Sequence, residues 1–247
     1  MERVEPARPR NASAVGVVTL GVALVAWLIT IGRMRGMGMG PGTDLGGLGW
    51  YVGVWVTMMA AMMLPSALPM LLLVRRTATE PLSTWFFAAG YLAAWTAYGL
   101  AAYAFYRLLA AVAGGVLAWD RAGPYAAGAA VAAAGLYQLT PLKTACLRHC
   151  RSPLHFLLHR WRAGAAGAAE LGVRHGLYCV GCCAGLMLVL FAVGVMCIFW
   201  MVVIAAVVFA EKVLPGGARL LPPLAVALMG LGLWIAVAPG SVPHLMP

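Results

Sequence analysis

Residues 177–214 read LYCVGCCAGLMLVLFAVGVMCIFWMVVIAAVVFAEKVL, with no charge before Glu211. An α-helix rises 1.5 Å per residue, so about 20 residues cross the ~30 Å hydrocarbon core of a bilayer. The run is too long for one span. A tight turn is therefore expected at 194–197, dividing it into spans at 176–195 and 198–210. Without that turn the chain loses one span, and its C-terminus changes sides.

The rest of the chain has the same character. Of 247 residues, 63% are hydrophobic and 10% charged, against about 25% charged in soluble domains. Too few charges remain to coat a water-facing surface, so lipid is the expected solvent. Backbone polar groups in lipid must be paired internally, by helices or a closed barrel. Barrel strands alternate in polarity, whereas these runs are continuously apolar. The expected fold is an all-α, polytopic transmembrane helix bundle, one membrane domain over 1–247. Its seven spans lie at 13–32, 50–74, 81–111, 124–142, 176–195, 198–210 and 221–238. The run after Met1–Asn11 is longer than a signal-peptide core and lacks a clear cleavage site, so it is read as a retained first span.

The net charge of +10 fits the positive-inside bias better than nucleic-acid binding, because no basic stretch is interleaved with aromatics. With the N-terminus inside, 13 Lys and Arg fall on the cytoplasmic side and 4 outside. The outside set is Arg33, Arg35, Arg107 and Arg121, with Arg107 snorkelling outward from span three. Lys143 is expected to snorkel to the inner interface, and Glu170 and Glu211 to lie near it. An internal loop from Lys143 to His175 carries one short interfacial helix at 153–162. Ser152 is its expected cap and Pro153 its first residue. Leu154, Leu157, Leu158 and Trp161 line one face, with His155, His159 and Arg162 on the other, toward anionic head groups.

Sulfur carries the sharpest chemical signal. Cys146 and Cys150 are spaced i, i+4, just past span four. Cys179, Cys182 and Cys183 repeat helical spacing in the first turns of span five, with His175 four residues before Cys179 and His149 beside Cys150. These five cysteines gather at the cytoplasmic face, where thiols stay reduced. Soft thiolates select Cu(I), Zn(II) or iron–sulfur centres, and Arg148, Arg151 and Arg174 favour the thiolate form. Small apolar filling is the bland alternative for any one cysteine. The methionines follow: Met34, Met37 and Met39 in an external Gly-rich loop, then Met58, Met59, Met62 and Met63 as two i, i+4 pairs ahead of Pro65 and Pro69. Thioethers bind Cu(I) but bind Zn(II) poorly, and broken helices often hold transporter substrates. Packing is again the bland alternative. Tyr137, Gln138 and Thr140 are expected to pair with a neighbouring helix. Hydrolytic, nucleotide-binding and c-type haem motifs are absent from the sequence, and no paired carboxylates are available.

The strings MMAAMMLPSALPM at 58–70, AAAGLYQLTPLKTACLRHCRSP at 132–153 and GLYCVGCCAGLMLVLFAVGVM at 176–196, with Glu211–Lys212 after them, resemble one prokaryotic family. It is described as predicted metal-binding integral membrane proteins, domain of unknown function 2182, and its members are sometimes labelled copper chaperones. The resemblance covers about residues 50–212 and implies a multi-span protein of the prokaryotic cytoplasmic membrane with a metal site. Matched positions include the four paired methionines, Pro65, Gln138, Pro141, Lys143, Tyr178, Met187 and the five clustered cysteines. Ala184 departs where an aromatic is expected, and Cys197 where Asn is expected.

The expected function is Cu(I) handling, for transport, delivery or homeostasis, with Zn(II) the second choice of metal. The metal ligands would be drawn from Cys146, Cys150, Cys179, Cys182, Cys183, His149, His175 and the four paired methionines. Partners would be the bilayer and a copper-accepting protein, without nucleic acid. Two other classes compete: a non-enzymatic accessory subunit packing through small-residue spans, and a membrane thiol-redox protein using Cys179 and Cys182.

Overall fold

The computed structural model describes residues 12–34, 45–113, 115–116, 121–194 and 197–242. Among these the protein is all-α, with nine α-helices and two short 3-10 turns. In order they are α1 (Ala12–Met34), α2 (Leu48–Thr77), α3 (Ser83–Ala113), α4 (Gly123–Gln138), α5 (Pro141–Arg151), α6 (Pro153–Arg160), α7 (Gly164–Val193), α8 (Ile198–Val213) and α9 (Leu221–Val237).

Helix α7 is the hub, packing on α3, α4, α5 and α8, while α2 packs on α1, α3, α6 and α8. Glycine sets the closest approaches. A Cβ at Gly90 of α3 would strike the Ala169 carbonyl of α7, and one at Gly172 of α7 would strike the Phe87 carbonyl of α3. Gly128 and Gly232 do the same for α4 against α9. Small residues that bring backbones together are what helix association in lipid requires.

Among the described residues, four stretches are long and apolar enough to cross a bilayer: Ala12–Met34, Leu48–Thr77, Gly164–Val193 and Gly217–Val237. That is fewer than the seven expected spans, for physical reasons. Helix α3 has 31 residues, but Tyr91, Trp95, Tyr98, Tyr103 and Tyr106 dilute its hydropathy. Helices α4 and α8 have 16 residues each, about 24 Å of rise against a ~30 Å core. Span four stops early because Pro141 opens a new helix, with the Thr140 side chain accepting a hydrogen bond from the Lys143 amide at 3.2 Å. The outer faces of the first and last helices are apolar: Val17 is 71% exposed and Val237 74%.

Several expectations are corrected. The stretch from Lys143 to His175 is no loop. It holds α5, α6 and the first turns of α7, a helix of 30 residues beginning at Gly164. Ser152 makes no side-chain capping bond to α6, although Pro153 does open it. Phe156 and Leu157 turn inward while Leu154 and Leu158 stay exposed. Met34 is not in a loop but is buried at the end of α1; Met37 and Met39 lie outside the described residues. The break expected at 194–197 is present: α7 ends at Val193, Gly194 has φ 110°, and α8 starts at Ile198.

Candidate metal centre

Cys179, Cys182 and Cys183 occupy one turn of α7, where helical spacing presents them together. Their sulfurs all lie within 4.8 Å of one another, all three are buried, and they could hold a metal ion. The Sγ atoms of Cys182 and Cys183 are 3.6 Å apart.

Helix α5 adds a fourth sulfur. It lies against α7 and brings Cys150 Sγ to 3.7 Å from Cys182 Sγ. Sulfurs around one ion at about 2.3 Å each, in tetrahedral array, stand about 3.8 Å apart. The observed spacings suit shared coordination and are far longer than the ~2.05 Å of a disulfide. Cys146, one turn earlier and half-buried, rests over Gly181, where a Cβ would come to 2.7 Å from its sulfur. Burial pushes the Cys146 thiol pKa up. None of the six cysteines is in a disulfide.

Cys179 has two polar partners that sequence reasoning did not assign to the site. Lys212 Nζ of α8 donates to its sulfur at 2.7 Å, and the Tyr91 hydroxyl of α3 lies at 2.9 Å. Lys212 also reaches Ser66 Oγ at 3.4 Å, and Ser66 donates to the Met63 carbonyl at 2.9 Å. A polar thread therefore joins the thiols to the methionine-rich stretch of α2. Ser66 lies between Pro65 and Pro69, and α2 runs through both prolines. The pair Glu211–Lys212 was the available signal, since a charge within an apolar segment marks function by default.

Lys143 does not snorkel. It is 1% exposed and forms an ion pair of 2.6 Å with the equally buried Glu211. Both side chains are buried inside the protein, where α5 packs back against α8 instead of extending α4. Arg151 of α5 donates to the carbonyls of Glu211 and Leu214, fastening the same two helices.

The remaining expected ligands are placed differently. Met58, Met59, Met62 and Met63 are 0–2% exposed and belong to the same buried cluster as the three α7 thiols, Met187 and Met201. His175 is buried in a ring of Phe87, Tyr91 and Phe156, and its Nδ1 has no hydrogen-bond partner. His149 stacks on Tyr178 with ring centroids 4.2 Å apart, and its Nδ1 meets the Ala145 carbonyl at 2.9 Å. Neither histidine joins the close thiol group. Tyr137 reaches across to the Gly181 carbonyl, Thr140 bonds locally, and both polar atoms of Gln138 lack partners.

The family described as PpoB2, copper chaperone, matches residues 52–235, a stretch that contains every residue of the site. The chain belongs to this copper-chaperone family. Comparison with curated proteins and with solved structures gives no match.

Proposed function

We propose that this member of the copper-chaperone family is a membrane protein that carries Cu(I) as cargo, bound by Cys179, Cys182 and Cys183 with Cys150 beside them. The observation that carries the reading is the buried group of three sulfurs within 4.8 Å of one another, inside the stretch matched by the family. Thiolates in a water-poor pocket suit a soft monovalent ion, and the thioethers of α2 have the same preference. Zn(II) is the weaker candidate because thioethers add little to its binding. The Met58, Met59, Met62 and Met63 rows supply softer ligands along the way to the thiols.

Purified protein should bind Cu(I) and lose most of it when Cys179, Cys182 and Cys183 are changed to Ser. Unchanged stoichiometry in that variant would defeat the reading.

In this proposal the chain crosses the prokaryotic cytoplasmic membrane seven times, with its N-terminus inside and the thiols near the inner face. Shorter helices such as α4 and α8 cross where neighbouring helices shield their ends. The 13-to-4 division of Lys and Arg supports the orientation. Reporter fusions test it: a C-terminal phosphatase should be active and a C-terminal fluorescent protein dark. The reverse pattern refutes the seven-span count.

A further inference from the structure

Beside the thiol cluster, a groove of about 410 Å³ opens between α5, α6 and α7. Its wall includes Cys146, Phe156, Leu177 and Tyr178, and Arg160 and Arg174 also line it. Arg174 pairs with Glu170 at 2.6 Å, and Arg162 meets the same carboxylate at 3.0 Å. Arg160 and Arg174 in the wall, with the single Glu170 carboxylate shared between Arg174 and Arg162 beside it, leave the groove net cationic. The volume falls in the range of small-molecule sites, roughly 300–1,000 Å³, and is too small to seat a protein domain.

The groove stands at the outer end of a row of sulfurs. Cys146 lines it; Cys150 follows one helical turn later at 3.7 Å from Cys182, and Cys182 is 3.6 Å from Cys183. Gly181 lets the Cys146 sulfur lie directly on α7, since any Cβ there would occupy its place.

We infer that this groove is the exchange port of the protein, and that it takes a small anionic thiol, free or as its Cu(I) complex. The inference rests on the proposed Cu(I) site. A Cu(I) ion held by two thiolates carries net negative charge, and thiol peptides add carboxylates. Guanidiniums recognise both. Exchange is a ligand substitution without redox change. Inward, the Cys146 sulfur forms a bond to Cu(I) as one donor sulfur–copper bond breaks. The departing thiolate takes up the proton released by Cys146. The same step on Cys150 and then Cys182 moves the ion inward, and the reverse order moves it out.

The test compares glutathione with its diethyl ester, which lacks both carboxylates, in stopped-flow removal of Cu(I) from the loaded full-length protein in zwitterionic nanodiscs. Glutathione should exchange about tenfold faster than the ester, the size expected of electrostatic steering, and the advantage should shrink with added salt. Arg160→Ser with Arg174→Ser should bring the two rates together, and Cys146→Ser should slow both thiols. Equal rates for the two thiols on wild-type protein overturn the port, as does a full glutathione advantage in the double arginine variant. Rates that follow the anionic lipid content of the disc instead of the thiol's charge overturn it as well, and make the groove a lipid seat. Failure of the wild-type protein to load Cu(I) at all would overturn the proposed function itself, which separates the two outcomes.

Discussion

Lys143 and Glu211 meet at 2.6 Å with side chains each 1% exposed, and Glu211 Oε1 has no further hydrogen-bond partner. A buried pair of this kind adds little net stability compared with apolar residues, but removing one partner strands a charge. Lys143→Met or Glu211→Gln should each destabilise the protein, the lysine variant by about 3–5 kcal/mol, whereas Lys143→Met with Glu211→Met should recover most of the loss. Thermal unfolding in detergent, followed by circular dichroism, checks this. A double variant as unstable as the worse single one would show that the pair is needed for more than charge balance. Reading these residues from sequence failed for a specific reason. Hydropathy along the chain gives depth in a bilayer, not the direction a side chain faces. Lys143, Glu211 and Lys212 stand at the ends of apolar runs and so resemble interface charges, but Lys143 and Glu211 bury against each other where α5 meets α8, and Lys212 turns inward to Cys179 and Ser66. The cysteines were easier to read, because Cys179, Cys182 and Cys183 lie within a single helical turn, where spacing alone fixes their proximity.

At the scale of elements, the site depends on two contacts with α7, one from α3 and one from α5. The first is set by backbone proximity at Gly90 and Gly172, which leaves no room for a larger side chain. Gly172→Ile should cost about 1–3 kcal/mol through overpacking. Gly21→Ala, in α1, meets nothing within 4 Å and should be neutral or slightly stabilising. Equal Tm values for the two variants would contradict the packing described. The second contact was only half legible. The spacing of Cys146 and Cys150 predicts one shared face, but Pro141 falls inside the expected span four and not at the start of α5, where the structure places it. That this face meets Cys182 is a tertiary fact that no local pattern carries. The break at 194–197 was legible because a bilayer limits helix length and Gly194 takes the positive φ that suits glycine. The start of α7 was not. Residues 164–175 contain Glu170 and Arg174, which read as loop charges, yet these two form an i, i+4 ion pair on a continuing helix.

At the scale of the whole molecule, the buried sulfurs of α2, α7 and α8 share one core, and large apolar side chains stay exposed on the outer helices. Val17, Leu24 and Leu28 of α1 and Val226, Leu233 and Val237 of α9 remain exposed on outer faces. Such contiguous apolar surface suits lipid or a partner, not water. The composition foretold that division, since 10% charged residues cannot cover a bundle of this size. The central claim is that cysteine sulfurs jointly hold Cu(I). X-ray absorption at the copper edge of the loaded protein tests it most directly. A first shell of three or four sulfurs at roughly 2.3 Å, the usual metal–thiolate distance, with the edge of Cu(I), is the expected spectrum. A shell dominated by nitrogen or oxygen, or sulfur scattering unchanged after Cys179, Cys182 and Cys183 are replaced by Ser, would contradict it.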